Sequence, residues 1–352
     1  MLSDNFRKVV PYTPGEQPQR KVIKLNTNEC PYPPSPDVTK ALESLDIERL
    51  RLYPEADCAT LVKAISEYYG VPEKKIFTGV GSDDVLSMCF LTFFAGKKPV
   101  LFPDITYSFY DVWANVYGIP FEQIPLDDDF NIVPQDYKRE NGGIVIANPN
   151  APTGEALDTE FIEDIIKANP ESVVIVDEAY IDFGGKTALP LIDKYKNVVV
   201  VRTMSKSRAL AGMRIGYAFA DESLIDYLLS VKYSVNSYTM NTPALIAGAA
   251  AVKDADYFEE IVKKVVETRD LTEERLKKLG FTFNPSSTNF VFAKPPEGYD
   301  ATEIFESLKE RDIYVRHFNK PRISDYLRIT IGTEGEMEKL FEALEEIMKE
   351  KV

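Results

Sequence analysis

Cysteine, histidine and tryptophan are nearly missing from this 352-residue chain, which has three, one and one of them. Cys30, Cys58 and Cys89 are odd in number, scattered and never in CxxC spacing. That excludes a disulfide framework and a cysteine zinc site, and it points to a reducing, cytosolic compartment. The single His317 excludes any Ser/His/Asp chemistry that does not run through it. Long apolar runs are absent too. The greasiest stretch, 85–96, is interrupted by Ser87 and Thr92 and falls short of the roughly 20 residues a bilayer span needs. The opening MLSDNFRKVV has no apolar signal core. Basic charge is scarce: 41 Lys and Arg stand against 56 Asp and Glu, a net charge of −15. So acidic a balance excludes a broad nucleic-acid surface. It leaves room for a few focused arginines to hold a small anion.

What is present is ordinary globular material, 44% hydrophobic and 28% charged, long enough for about two domains. Residues 1–36 carry Pro11, Pro14, Pro18, Pro31, Pro33, Pro34 and Pro36 and read as an extended arm rather than a core element. Residues 37–250 alternate apolar runs with helical patterns. The runs include Lys75–Thr78, Pro99–Phe102, Gly143–Ala147, Val173–Val176 and Val198–Val201. Continuous β-branched runs separated by helices predict an α/β domain with a mostly parallel central sheet flanked by helices. From about 251 to 352 the composition turns to Glu/Lys-rich helices alternating with strands at Thr288–Phe292 and Tyr326–Ile331, a smaller α+β domain.

Four segments sit at the ends of predicted strands, where parallel sheets place their ligands. Lys206, in Thr203-Met204-Ser205-Lys206-Ser207, stands on a polar turn and can form an imine with an aldehyde, with hydroxyls and Arg214 near for an anion. Asp177 and Tyr180 end another strand, where a carboxylate can keep a heteroaromatic nitrogen protonated. Gly81-Ser82-Asp83 opens a helix, an anion site without the GxGxxG or GK[ST] spacing of nucleotide folds. The turn Asn148-Pro149-Asn150-Ala151-Pro152-Thr153-Gly154 can set an amide beside a ring. Each feature alone is also what a loop lysine, a strand-end cap or a plain turn looks like. Their set and order are specific.

Together with Leu25-Asn26-Thr27-Asn28-Glu29, Arg51-Leu52-Tyr53-Pro54, Tyr107-Ser108-Phe109-Tyr110, Ala211–Tyr217, Tyr314-Val315-Arg316 and Leu327–Thr333, this series resembles the fold type I aminotransferases that use pyridoxal 5′-phosphate. The resemblance covers nearly the whole chain. It implies that Lys206 carries the cofactor and shuttles a proton. Asp177 would hold the pyridine nitrogen protonated, Tyr180 would bond the ring hydroxyl, and Tyr107 would stack on the ring. The phosphate would be held by Gly81, Ser82, Asp83, Thr203, Ser205 and Arg214. Tyr53 would reach the partner subunit's cofactor, so a homodimer is implied. The family often has Asn where this chain has Ala151, which leaves Asn148, Asn150 or Tyr180 alone to serve, with Asn150 favoured. Arg328 and Arg316 would hold the substrate's anionic group, with Tyr12 and Asn28 closing over it, and His317 an incidental neighbour. Within the family the pattern is nearest to members that pass the amino group of histidinol phosphate to 2-oxoglutarate in histidine biosynthesis. A threonine-phosphate lyase, an aromatic-amino-acid transaminase and a regulator that binds the cofactor without turnover are the other readings. No helix-turn-helix or basic stretch supports the last.

Overall fold

The structure of the protein, a computed structural model, describes residues 6–349. After a short β1 (Ile23–Lys24), seven strands form the central sheet. They are β2 (Ile76–Val80), β3 (Val100–Pro103), β4 (Phe121–Ile124), β5 (Gly143–Ala147), β6 (Val174–Asp177), β7 (Val198–Thr203) and β8 (Ile215–Ala220). Their order across the sheet is β2-β8-β7-β6-β5-β3-β4. The pairs from β4 through β7 are parallel, and β8 lies antiparallel between β2 and β7.

The period of two along each strand divides the core between two faces. Ile144, Ile146, Val174, Val176, Val198 and Val200 pack with Ile162, Ile165 and Ile166 of the helix Thr159–Ala168. Val145, Ile175, Val199 and Val201 point the other way, onto Val85, Leu86 and Phe90 of the helix Gly81–Phe93. Both faces are covered, so every residue of the Val198–Val201 run is buried. β5 and β6 end level, with Ala147 opposite Asp177, and β7 runs two residues past Val201, which lies opposite Asp177. That common edge is where the predicted site residues collect.

Beyond it, β9 (Phe290–Ala293), β11 (Arg316–His317) and β12 (Leu327–Thr330) form a second, antiparallel sheet in the order β11-β12-β9. The helices Ala255–Lys278, Ala301–Glu310 and Glu334–Lys349 contribute Leu276, Ile304 and Leu340 to its core.

The arm expected over 1–36 requires correction. Its first five residues lie outside the described ones, as do 350–352 at the other end. From Ile23 it is part of the smaller unit: β1 pairs in parallel with β10 (Ile313–Tyr314), and Leu25 is buried in that unit's core. Residues 23–25 are free of proline and alternate Ile-Lys-Leu, so one short strand fits between the proline clusters. Burying Leu25 favours that docking by about 1.5–3 kcal/mol. The helix Pro36–Glu43 begins at the last of the seven prolines, where Ser35 Oγ accepts from Asp37 N and Pro36 needs no partner for a missing N–H.

One buried ion pair ties the strand ends together. Arg202 on β7 donates through Nε (3.0 Å) and Nη2 (2.8 Å) to Glu178 Oε2, immediately after β6. Thr187 Oγ1 and Ala188 N also donate to Glu178, which leaves the carboxylate saturated. Both partners are buried. Glu178→Gln leaves the guanidinium without its counter-charge, and urea unfolding should show a loss of about 3–5 kcal/mol. A loss below about 1 kcal/mol would mean that the pair does not hold the sheet edge.

Candidate active site

The edge formed by β5, β6 and β7 is the floor of a cavity, and the turn between β2 and the helix Gly81–Phe93 closes one end of it. Ser82, Asp83, Tyr107, Asp177, Tyr180 and Lys206 line it, and so do Thr203, Ser205 and Arg214.

The end near Gly81 is built for an anion. The helix starts at Gly81 and has no side-chain cap on its first amides, which point outward with the positive end of the helix dipole. Gly81 has φ +83°, and a Cβ there would stand 2.5 Å from Arg214 Nη2, so only glycine lets the guanidinium close over the turn. Across from it, Thr203 Oγ1 donates to Ser205 Oγ (3.0 Å) and accepts from Ser205 N, and Arg214 Nη1 reaches Ser205 Oγ at 3.4 Å. Arg214 Nη2 pairs with Asp83 Oδ2 at 3.0 Å, and Tyr107 donates to Asp83 Oδ1. The Asp83 carboxylate therefore opposes an anion, and only its backbone amide favours one.

The opposite end demands a cation. Asp177 is buried, accepts from Tyr110 Oη at 2.8 Å and from Ala179 N at 3.2 Å, and still lacks a counter-charge among its hydrogen-bond partners. Burial pushes its pKa up to about 6 against those two bonds. Nothing in the local sequence marks Tyr110 by itself as a site residue. Its signal was the Tyr107-Ser108-Phe109-Tyr110 run, which packs as an aromatic cluster with Trp113 and leaves one hydroxyl facing Asp177.

Between the two ends stands Lys206. Its Nζ donates to Thr27 O (3.1 Å) and lies 5.7 Å from the centre of the Tyr180 ring. Tyr180 Oη accepts from Asn28 Nδ2 at 2.8 Å. A lysine amine, a carboxylate that needs a protonated ring nitrogen and a glycine-gated anion cradle are the donor set pyridoxal 5′-phosphate requires, so the residues fit that group.

Two expectations from the sequence change. Asn150 does not line the cavity. Its Nδ2 donates to Ile105 O and Thr153 Oγ1 and its Oδ1 accepts from Thr106, so the amide is occupied in holding the turn. Asn148 is likewise tied to both backbone groups of Leu157. The cavity wall here is Ala147, Pro149 and Ala151, with no amide. Asn28, expected against the substrate, borders the outer space but turns its side chain to Tyr180 and Thr330.

That outer space opens beyond Lys206 and is lined by Tyr12, Arg316, Phe318 and Arg328, with no Asp or Glu among the described residues. Arg328 donates from Nη2 to Asn26 O (2.9 Å), and its buried Nε has no partner among the described residues. Burial lowers its pKa, and the neighbouring Arg316 charge adds to that. Two guanidinium groups facing one cavity call for an anion. Tyr12 stacks on Phe109 at 4.2 Å over the same mouth. His317 bonds Ser324 O and lines neither space. Tyr53 reaches neither: it is 82% exposed and stacks on the exposed Tyr238 at 4.6 Å.

Residues 20–344 match the model of the aminotransferase class I and II family. A histidinol-phosphate aminotransferase of Marinomonas sp. (strain MWYL1) is 53% identical over 97% of this chain and 98% of its own length. That of Lactococcus lactis subsp. cremoris (strain SK11) is 50% identical over 99% and 98%. Among solved structures, the histidinol-phosphate aminotransferase of Sinorhizobium meliloti in complex with pyridoxal-5′-phosphate has a TM-score of 0.85 at 24% identity, covering 95% of this chain and 93% of that one. L-threonine-O-3-phosphate decarboxylase from Porphyromonas gingivalis has a TM-score of 0.79 at 21% identity, covering 93% and 100%. Likeness at that level shows the shared fold alone.

The raised pKa of Asp177 has a measurable cost. The folded chain holds this proton more tightly than the unfolded one, whose carboxyl titrates near 3.8. Stability from this group is therefore full below about pH 3.8 and is lost as pH rises through about 6, by about 3 kcal/mol in total. In the cofactor-free protein, Asp177→Asn should match the wild type near pH 4 and exceed it by up to about 3 kcal/mol at pH 7.5, read by urea unfolding. An advantage that does not grow between the two pH values would show that Asp177 is not a desolvated charge.

Proposed function

The chain belongs to the class I and II aminotransferases and is an enzyme of that family; from this premise we propose that it uses pyridoxal 5′-phosphate to pass the amino group of L-histidinol phosphate to 2-oxoglutarate, a step of histidine biosynthesis. The named relatives at 50–53% identity over almost the whole length support this reading. The single structural observation that carries it is the paired Arg316 and Arg328 in an outer cavity that no Asp or Glu among the described residues lines. Histidinol phosphate has no carboxylate, so its phosphate is the group left for that pair, and a carboxylate of 2-oxoglutarate takes the same place in the return half.

When bound, the cofactor supplies an aldehyde for amine exchange and a ring that accepts the electron pair released at the donor's alpha carbon. The residues of this chain do the rest. The Gly81–Asp83 amides, Thr203, Ser205 and Arg214 hold its phosphate. Asp177 keeps the ring nitrogen protonated, with Tyr110 holding the carboxylate in place. Tyr107 packs against the ring face, a contact of about 0.5–1.5 kcal/mol beyond area burial. Tyr180 donates to the ring oxygen, and no amide from the 148–151 turn joins it.

Lys206 Nζ would hold the cofactor, and as a free amine it would take up and return the proton at the donor's alpha carbon. The Thr27 carbonyl steadies the ammonium it becomes. Tyr12 and Phe109 shield the mouth from water. A homodimer completes the site: the exposed apolar patch around Tyr53 and Tyr238 supports a subunit interface, across which Tyr53 reaches the partner's phosphate site. Three unpaired cysteines support work in the cytoplasm.

Enzyme loaded with pyridoxal 5′-phosphate and given a donor without any keto acid tests the substrate. Histidinol phosphate should convert the near-visible absorption band in a single turnover, and phenylalanine and threonine phosphate should leave it in place. Lys206→Ala should abolish the conversion. Carbon dioxide released from threonine phosphate with the band restored would make the enzyme a lyase, and conversion by phenylalanine alone would make it an aromatic transaminase.

A further inference from the structure

We propose that Asn28 is a positioning residue that fixes the direction in which Tyr180 donates its proton, and so tunes the oxygen of the cofactor ring. The inference rests on the reading above, in which Tyr180 faces the ring oxygen of bound pyridoxal 5′-phosphate.

Asn28 is buried in the left-handed region at φ 57°, which asparagine tolerates better than most residues. Its backbone N–H donates to Thr330 Oγ1 at 3.1 Å. Thr330 accepts that bond and gives its own hydroxyl proton to Asn28 Oδ1 at 2.9 Å. The amide is thereby turned: oxygen faces Thr330, and Nδ2 faces Tyr180 Oη at 2.8 Å. Asn289 Nδ2 donates to Asn28 O at 3.0 Å and holds the backbone behind it. Asn28, Thr330 and Asn289 are all buried, so water does not compete for these bonds.

A phenol has one proton and accepts through its lone pairs. With Asn28 donating to the oxygen, the Tyr180 proton is left for an acceptor on the cavity side. Thr330, Asn28 and Tyr180 then form a chain in which every group donates toward the cavity, and such chains strengthen one another in a low dielectric. The effect matters more here than where a second donor is present, because the wall at 147–151 offers none: Asn148 and Asn150 are both tied into the turn. One phenol does the work, and Asn28 aims it.

Donation from Tyr180 stabilises negative charge on the ring oxygen, and so favours the deprotonated form of the nitrogen linked to Lys206. Weakening that donation must raise the pH midpoint of the near-visible absorbance in the loaded enzyme. Asn28→Gly keeps the left-handed backbone without strain and removes the amide. Asn28→Asp keeps the shape but turns the donor into an acceptor that draws the Tyr180 proton away. In enzyme loaded with pyridoxal 5′-phosphate, Asn28→Gly should raise the midpoint by roughly half to one pH unit, and Asn28→Asp by more. Tyr180→Phe should raise it at least as far as Asn28→Gly does. Adding Asn28→Gly to Tyr180→Phe should move it no further, because the effect passes through the phenol.

A midpoint unchanged in both Asn28 variants, with the cofactor retained, overturns the proposal. So does a shift of the same size with Tyr180→Phe already present. Wild-type enzyme that develops no near-visible band with the cofactor would instead defeat the reading on which the proposal stands, and the proposal with it.

Discussion

Four successive backbone carbonyl groups, from Leu25 to Asn28, hold the central sheet and the three-stranded sheet to one site. The Leu25 oxygen accepts from Thr330 N at 3.0 Å, and that of Asn26 from Arg328 Nη2 at 2.9 Å. Thr27 O accepts from Lys206 Nζ at 3.1 Å, and Asn28 O from Asn289 Nδ2 at 3.0 Å. Each bond contributes only about 1 kcal/mol net. Their value is geometric, because one rigid segment sets the amine, the substrate-side guanidinium and the amide behind Tyr180 in a fixed relation. β1 and the burial of Leu25 fix the register in which these carbonyls arrive.

Around that segment the charges are arranged by desolvation rather than by net charge. A chain at −15 nonetheless presents three arginines to the reaction space, Arg214 at one end and Arg316 and Arg328 at the other. Arg328 is the desolvated one, where an anion is worth far more than in water, while Arg214 stays partly exposed beside Asp83. Asp177 is the complement, a carboxylate denied water so that it favours a protonated nitrogen. The buried Arg202–Glu178 pair keeps the strand ends that carry these groups in place.

The sequence was most legible where one physical demand acted alone. Val174–Val176 and Val198–Val201 are buried on both faces, so nothing but β-branched residues suits them, and the runs announce themselves. β8 does not stand out as a strand in the sequence, because Gly216, Ala218 and Ala220 dilute its pattern; Gly216 is there because a Cβ would stand 2.3 Å from Ser82 N. β4 sits at the sheet edge and alternates Glu122 and Gln123 with apolar ends, which looks like loop. In the site, Asp177 ends β6 and Lys206 stands three residues past β7, so both could be placed by position. Asn150 could not, because an asparagine in a Pro-rich turn reads the same whether its amide faces a ring or the backbone of Ile105. Asn28 and Tyr110 depend on contacts 152 and 67 residues away along the chain, and local pattern carries no trace of such pairings.

Reduction with borohydride, followed by peptide mapping, tests directly whether Lys206 is the amine that holds the cofactor. Protein loaded with pyridoxal 5′-phosphate, reduced and digested, should carry the added mass on the peptide containing Lys206 and on no other. Lys206→Ala treated in the same way should carry none. Label on another lysine such as the buried Lys232, or none on the wild type, would contradict the mechanism derived from this site.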